Sequence, residues 1–542
     1  MRLILKDYLL CLREKDELDL LLCDLLLQMG YVTDSRPKTG SRQYGVDIRA
    51  HNDEEVLLCV IKQGNIDRRI WSADPNAVRQ SLEEIRDVYV EFLRNDLRNK
   101  GLHIIVATNG MMEETVFPDW TFYKKHNTNW DGVPVQLEFW NVDELVVQVQ
   151  QYLLNEHMFG EAMQSQLRKA LYFVDEGDYP NRYFEHIIDG VLDTIFWEDS
   201  GKKLDKQLAG LYLASQMIAH YAAEAGLFKI SIMVSEYLLI RYWRALREHT
   251  CMEKPRHILW LHKYLKTYEK WNQAYYNTTR ICAEEQVRFP NCDSVDQRIL
   301  LYELLGYWTT YAYWLSFEGQ CNQALQKRCL QVCNSIVGLL NHYPQLFYPP
   351  FDRHVGTMSM VFRLLLRLER KEDACTLVQR LCNTVAYNYI LYQRYPIPDD
   401  SYETAVNLAL GLPVPPYQGS AFWGVMLEWM AVLEQRELYK ALLPFIQENL
   451  KEVTFCTWFL RADEETAFYD PNVMYRAGEG VAIDAKATFE DLRADVGYLL
   501  EQFASEKFSF DTFSFPALEL IACQYYGCIP RICMEENQGR GS

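Results

Sequence analysis

The sequence has little that would mark a zinc-binding, secreted or membrane protein. Its 15 cysteines include no Cys-x-x-Cys pair, and the groups within 321–333 and 523–533 lack zinc-site spacing and nearby histidines. No run approaches the ~20 apolar residues that span a membrane, and residues 1–8 meet charge too early for a secretory signal. We therefore expect buried free thiols, a cytoplasmic location and no membrane partner.

An excess of positive charge is also absent. The chain has 55 Lys and Arg against 74 Asp and Glu, which gives a formal net charge of −19. Nonspecific coating of nucleic acid needs clustered cations and is not expected, whereas a local basic groove in an acidic protein remains compatible with DNA cleavage. A hydrophobic content of 49% indicates packed cores, and 542 residues give room for about two to four domains.

Asp47 and Lys62 are the most informative pair of residues. Asp47 lies in the short run 45–50, Lys62 ends the apolar run 57–62, and a polar, turn-like segment separates the runs. This pattern predicts a β-hairpin that brings the carboxylate and the ammonium within ~4–6 Å of each other. A carboxylate can hold a hard divalent cation, and a lysine can orient the attacking water or offset charge on a phosphate. The pair indicates metal-assisted phosphodiester hydrolysis, and the alternative is an ordinary ion pair at a strand edge.

The elements around this pair follow a definite order. Apolar residues recur at helical spacing over residues 16–29, and Gly30 is a natural C-terminal stop. Further elements are a strand at 31–32, a helix from Asp74 to about residue 98, and strands at 102–107 and 135–139. The predicted order is α-β-β-β-α-β with one further strand.

Four motifs accompany this order: Met29-Gly30-Tyr31, Tyr44-Gly45-Val46-Asp47, Lys62 at the end of the third strand, and Val106-Ala107-Thr108-Asn109-Gly110. With them, roughly residues 1–150 resemble the restriction-endonuclease-like nucleases, specifically the Mrr-like branch of the PD-(D/E)xK superfamily, and we expect the corresponding domain to comprise residues 1–152. The resemblance implies an α/β nuclease domain that acts on DNA with Mg²⁺ or Mn²⁺. By position it implies that Asp47 is the metal-binding acid, Lys62 the catalytic lysine, and Asp19 the acid that the first helix often contributes.

The chain departs from the family at Val60. The family expects Glu or Gln two residues before the lysine, where strand geometry points both side chains the same way, and a valine cannot ligate metal. The candidates to replace the missing ligand are Asp19 and, from the next helix, Gln80 and Glu84. The other interpretation is a decayed nuclease that still binds DNA.

Several polar residues are candidate DNA contacts. Gln80 begins the helix after the catalytic strands, where related nucleases place a DNA-contacting glutamine. Arg68 and Arg69 lie with Trp71 in the loop that leaves the third strand, which suits phosphates and a base or sugar face. Arg42 precedes the hairpin and is expected to flank the same groove. The alternative for each is an exposed polar residue without a ligand.

The apolar period changes to 3.6 after about residue 155. Amphipathic helices are predicted at 208–248, 297–314, 323–342, 358–370, 374–388, 420–437 and 438–449. Short charged turns between consecutive helices favour either a degenerate TPR-like array or an ordinary α-helical domain at 153–452. Residues 453–542 are expected to be mostly helical with an irregular insertion near 453–485.

Two classes of function follow. The first is a DNA endonuclease, which the resemblance associates with prokaryotic restriction or antiphage defence. Its helical region would sense a trigger, dock a protein partner or form a homo-oligomer, and we expect an exposed apolar or aromatic patch there. The second is a catalytically inactive, nuclease-like DNA-binding or scaffold subunit of a larger complex. Val60 favours the second class, and the Asp47–Lys62 pair favours the first.

Overall fold

The structure is a computed structural model that describes residues 2–35, 44–93, 100–153, 165–167, 169–172, 183–197, 202–289, 293–318, 322–392, 401–414, 418–470, 479–504, 507–513 and 515–531. Contacts between Cα atoms divide the chain into two compact units, Met1–Val234 and Ser235–Ser542. The division into residues 1–152, 153–452 and 453–542 stays a prediction.

The first unit contains a mixed sheet of six strands. These are β1 Val32–Ser35, β2 Ile48–His51, β3 Glu55–Lys62, β4 Gly101–Thr108, β5 Asn129–Trp130 and β6 Val133–Trp140. They lie side by side in the order β1-β2-β3-β4-β6-β5. The β1–β2, β2–β3 and β5–β6 pairs are antiparallel, whereas β3–β4 and β4–β6 are parallel. The predicted hairpin, and the predicted succession of a sheet followed by helices, are confirmed.

β3 lies at the centre of this sheet because its side chains are apolar on both faces. Every residue from 56 to 61 is at most 1% exposed, which is the pattern of a strand covered on both sides. On one of these faces, Leu58 packs with Val60 and Val106 in a single apolar cluster. This packing holds the ends of β3 and β4, where the candidate residues lie, in fixed positions.

The helices of the first unit are α1 Arg2–Cys11, α2 Asp19–Met29, α3 Val78–Glu84, α4 Val90–Leu93, α5 Phe117–His126 and α6 Val142–Tyr152, followed by Tyr183–Leu192 and Lys202–Glu224. Gly30 ends α2 with a left-handed φ of 102°, as predicted. The helix predicted from Asp74 forms α3, a π-helical turn at Ile85–Tyr89 and α4, and its predicted end at residues 94–98 lies outside the described residues.

The second unit is mainly helical, and the helix Phe228–Glu248 contains the boundary between the units. Its further helices are Pro255–Thr279, Ile281–Glu284, Ser294–Glu318, Gln323–His342, Val355–Arg367, Lys371–Tyr392, Tyr402–Ala409, Ala421–Val432, Arg436–Asn449, Phe489–Ala504, Ser509–Thr512 and Ala517–Tyr526. The helix predicted at 208–248 is two helices, because the chain breaks at Gly226 with a φ of 76°. The long helix Pro255–Thr279 was not predicted.

A small sheet interrupts the second unit. β7 Gly419–Ser420 pairs in parallel with β8 Thr454–Phe459, which pairs antiparallel with β9 Glu479–Ala482. The helix after β7 packs closely on β8 at Gly424. A Cβ at this position would lie 2.3 Å from the carbonyl oxygen of Cys456, so only glycine fits there. The predicted irregular insertion therefore contains ordered strands.

A buried ion cluster fastens the last described segment of this unit. Glu519 is fully buried and accepts hydrogen bonds from Arg363 Nη1 at 2.8 Å and from Arg531 Nη2 at 3.0 Å. Burial opposes ionisation of Glu519, but the two guanidinium groups outweigh it and lower the pKa of this carboxyl to about 2. Glu428, also buried in this unit, has its pKa raised to about 8 by burial.

No disulfide bond joins the cysteines whose side chains the structure describes, and all of them except Cys375 and Cys456 are buried, as predicted. Within the described part of the chain, no helix combines the length and the apolar character that crossing a membrane requires.

Candidate functional site

Asp47 is held at the end of the β2–β3 hairpin by β3 itself. Regular pairing of the two strands ends at Ile48 opposite Cys59. Beyond this point the Asp47 N–H donates to the Cys59 carbonyl at 2.9 Å, and Asp47 Oδ2 accepts from the N–H of Ile61 at 2.7 Å. The carboxylate therefore takes over a backbone donor of β3, which fixes its orientation. A carboxylate offers about four lone-pair sites, so it retains capacity for a further ligand.

Charges around Asp47 show which side chains share this site. Burial raises the pKa of Asp47, and the Ile61 hydrogen bond and the Lys62 ammonium act in the opposite direction. Glu14 also raises this pKa, and Lys15 lowers it. Lys62, Glu14 and Lys15 are therefore each within electrostatic range of Asp47. The predicted separation of ~4–6 Å between Asp47 and Lys62 stays a prediction.

Val60 does not belong to this polar group. Its side chain is fully buried in the apolar cluster that also contains Leu58 and Val106. A core position of this kind is filled by an aliphatic residue for packing, so an acidic ligand at position 60 would lie in apolar surroundings. The acid that acts on Asp47 from outside the hairpin is Glu14, which the sequence did not single out.

Asn109 explains how Glu14 reaches the site. This side chain is 1% exposed and follows β4 directly. Its Nδ2 donates to the carbonyl oxygens at the end of α1, with distances of 3.0 Å to Leu9, 3.2 Å to Leu10 and 2.7 Å to Leu12. Its Oδ1 accepts from the N–H of Gly64 at 2.8 Å. One amide thus ties the end of α1, and the Glu14 turn behind it, to the loop that follows Lys62.

The same loop is fastened to β4 by its backbone. Thr108 Oγ1 donates to the Gly64 carbonyl at 2.5 Å and accepts from the N–H of Gly110 at 3.1 Å. Gly110 packs so closely that a Cβ on it would lie 2.3 Å from the carbonyl carbon of Gly64. The chain after Lys62 therefore has little freedom to move away from the end of β4.

The turn that carries Glu14 is irregular and strained. Residues Glu14–Leu18 form an irregular turn in which the backbone of Lys15 is extended (φ −96°, ψ 141°) and Asp16 has a left-handed φ of 66°. Arg13 stabilises the turn, since its backbone N–H donates to Glu17 Oε2 at 2.9 Å and its guanidinium donates to Glu17 Oε1 at 2.9 Å. Strained backbone of this kind is concentrated at functional sites because the surrounding structure must enforce it.

Asp19 lies just beyond this turn, at the start of α2. It is 5% exposed, and its Oδ1 accepts from the N–H of Leu20 at 2.7 Å. Burial raises the pKa of Asp19, and backbone hydrogen bonds of Asp16 and Leu20 oppose the shift. This hydrogen bond lies within the turn of Asp19 itself, and the role of Asp19 as a metal ligand stays a prediction.

The residues expected to contact DNA are placed differently from one another. Gln80 is exposed on α3. This helix packs closely on the turn before Asp47, since a Cβ on Gly45 would lie 2.4 Å from the Ser81 carbonyl oxygen. Arg68 is exposed, and Arg69 forms an ion pair of 3.4 Å with Asp74. Arg42 lies outside the described residues.

Trp71 is not available to stack on a base or sugar. It is 2% exposed and contacts the rings of Trp120 and Tyr123 edge to face, with centroids 6.1 and 6.0 Å away. The expectation that this ring faces DNA is therefore wrong, because the indole completes the apolar core. The loop offers cations to a ligand but no aromatic face from this residue.

The donor set of the site suits a hard cation held mainly by water. Among the described residues, no group of three or more His, Cys, Asp or Glu side chains is placed to hold a metal ion. Mg²⁺, however, commonly keeps several waters and binds through one or two carboxylates. Asp47, with spare lone pairs, and Glu14 fit that pattern, whereas a zinc site would need more nitrogen or sulfur ligands.

Comparisons with protein families, with curated proteins and with solved structures found no match to this chain.

Proposed function

We propose that this protein is a metal-dependent DNA endonuclease with a restriction-endonuclease-like fold in residues 1–152. The observation that carries the proposal is the Asp47 carboxylate at the end of the β2–β3 hairpin, which accepts a hydrogen bond from the Ile61 N–H beside Lys62 and retains capacity for a further ligand. The motifs that resemble the Mrr-like nucleases coincide with these elements. The order of the strands and helices in the first unit supports the same assignment.

The roles of the side chains follow from their chemistry. Asp47 and Glu14 would hold Mg²⁺ or Mn²⁺, which when bound supplies a Lewis acid and a more acidic bound water. Lys62 would stabilise negative charge on the phosphate or orient the attacking water through its ammonium. Lys15, next to Glu14, adds a second cation for a phosphate oxygen.

The helical region supports a docking role in this proposal. On the helix Lys371–Tyr392, Tyr387 is 62% exposed, Ile390 58% and Leu391 49%. These residues lie at i, i+3 and i+4, so they share one face of the helix. An exposed apolar strip of this kind suits a protein partner or a second copy of the chain. A role in prokaryotic restriction or antiphage defence rests on the resemblance alone.

A second function is an inactive, nuclease-like scaffold subunit that still binds DNA. The burial of Val60 in the core favours it, because the position has no access to a metal. The two functions differ in whether Glu14 replaces the missing ligand. Metal binding without DNA separates them directly.

The experiment titrates the protein with Mn²⁺ in the absence of DNA, and electron paramagnetic resonance measures how much of the ion is bound. The variants are Asp47→Asn, Glu14→Gln and Asp19→Asn, with Asp53→Asn as control. Asp53 is an exposed acid beside the opposite end of β3, and eight strand residues place it ~25 Å from Lys62. We expect binding to be lost in Asp47→Asn, weakened at least tenfold in Glu14→Gln and unchanged in the control.

Two outcomes would change the assignment. If Asp19→Asn loses Mn²⁺ and Glu14→Gln does not, Asp19 is the second acid, as the resemblance implies. If the wild-type protein binds no Mn²⁺ more tightly than Asp47→Asn does, the metal site does not exist and the scaffold function is supported.

A further inference from the structure

Two exposed aromatic rings lie beside the candidate site. Tyr44, three residues before Asp47, is 36% exposed, and Phe92 on α4 is 69% exposed. Their ring centroids are 6.0 Å apart with an angle of 37° between the planes. Large aromatic side chains are normally buried, so an exposed pair in mutual contact indicates a surface that serves binding.

The backbone holds Tyr44 in this position at an energetic cost. Tyr44 has a φ of 49°, and the next residue, Gly45, has a φ of 79°. For a bulky aromatic residue a left-handed φ is a genuine outlier. Gly45 packs against α3, and Val46 is buried in the core, so the turn cannot relax by moving outward. The exposed Tyr44 ring is therefore attached to backbone that the packing of Gly45 and Val46 restrains.

Tyr44 lies near the acidic site along the chain. Its Cα is three residues from that of Asp47, so the two Cα atoms are at most ~11 Å apart, within the reach of about three nucleotides of a stacked strand at ~3.4 Å each. Lys62 and Lys15 lie close to Asp47 and provide positive charge for phosphates. The same short surface thus offers cations and aromatic faces, the combination that proteins use for single strands.

We propose that Tyr44 and Phe92 form a stacking site for an unpaired nucleobase of a strand whose phosphate lies at Asp47 and Lys62. This inference rests on the proposed nuclease function and narrows its substrate to DNA with a single-stranded or unstacked segment. In a continuous duplex, neighbouring bases cover each base face, so a protein ring gains access only where a base is unpaired or flipped out.

The test measures binding separately from cleavage. Fluorescence anisotropy with a labelled oligothymidine and with a duplex of the same length is recorded in EDTA, which prevents metal-dependent cleavage. The variants are Phe92→Ala, Phe92→Leu and Tyr44→Gly; glycine removes the ring and accepts the left-handed backbone, so folding is retained. Phe122→Ala is the matched control, since Phe122 is 66% exposed and contacts His126 instead.

We expect the wild-type protein to prefer the single strand. Phe92→Ala and Tyr44→Gly should each weaken that binding roughly 5- to 150-fold, the range for loss of one base–aromatic stack. Phe92→Leu should weaken it similarly, because leucine keeps apolar bulk but has no aromatic face. Phe122→Ala should bind as the wild type does. With 2-aminopurine in the strand, the wild type should quench its emission and Tyr44→Gly should not.

Other results would overturn the inference. Equal binding of single strand and duplex, full binding by Phe92→Leu, or a change of oligomeric state without a change in DNA binding would each exclude a stacking site. Failure of this inference is distinguishable from failure of the nuclease proposal. If the protein cleaves DNA and its DNA binding is unchanged by loss of either ring, only the stacking site is excluded. If binding depends on the rings but no DNA is cleaved, the stacking site is retained and the nuclease proposal fails.

Discussion

Asn109 gives the sharpest test of how the site is assembled. Replacing Asn109 by alanine removes the amide that donates to the carbonyl oxygens of Leu9 and Leu12 and accepts from Gly64. A buried polar group left without its partner costs about 1–3 kcal/mol. Two such groups, the Gly64 N–H and the Leu12 carbonyl, give an expected loss of about 2–6 kcal/mol in the free energy of unfolding of the first unit.

Hydrogen exchange is the appropriate assay because the chain has two units, and whole-chain denaturation need not be two-state. Peptides that contain Gly64 and the Glu14 turn should lose protection together in Asn109→Ala. Asn109→Asp should lose more, because a carboxylate can accept from Gly64 but repels the carbonyls of α1. Asn65→Ala is the control: Asn65 is exposed, and its Oδ1 accepts from the Met111 N–H at 2.9 Å, away from α1. Unchanged protection of the Glu14 turn in Asn109→Ala would show that Asn109 does not position Glu14.

Further predictions concern stability. Gly45→Ala should destabilise the first unit by more than about 2 kcal/mol in thermal unfolding, because its Cβ would clash with α3; Gly132→Ala, also left-handed at 88° but with open space around it, should cost about 1 kcal/mol. Ionised Glu519 should add about 3 kcal/mol to the free energy of unfolding, fully above about pH 4.5, and this contribution should disappear as the pH falls through about 2. In Glu519→Gln, denaturant titrations should show a free energy of unfolding without this pH dependence. Protonated Glu428 should stabilise the fold fully below about pH 4.5, and this contribution, up to about 5 kcal/mol, should be lost as the pH rises through about 8. Glu428→Gln should therefore be more stable relative to the wild type at pH 9 than at low pH. An equal pH dependence of stability in both proteins would contradict this.

The hairpin was predictable from the sequence because its physical causes are local. An apolar run that is buried on both faces identifies β3, and Gly30 ends α2 by the conformation that glycine allows. The helix Gln323–His342 has the predicted bounds for the same reason, since its apolar period is complete and Asn322 caps its first turn.

The rest of the site depends on contacts that are distant in sequence. Glu14 is near Asp47 because Asn109 binds the end of α1 and because Asp16, which is not glycine, adopts a left-handed backbone. No local pattern indicates either feature. The prediction for Trp71 is wrong for a similar reason, because whether a ring in a loop faces solvent or core is decided by the helix that packs on it.

Cleavage of DNA with a single-stranded segment in the presence of Mg²⁺ is the decisive measurement for the proposed nuclease. We expect the wild-type protein to cleave it, Asp47→Ala to abolish cleavage, and Lys62→Ala to slow it roughly a hundredfold to a thousandfold, with both variants folded. Asp53→Asn should cleave at the wild-type rate. The absence of divalent-metal-dependent cleavage of any DNA by the wild-type protein, or equal cleavage by Asp47→Ala, would contradict the nuclease function.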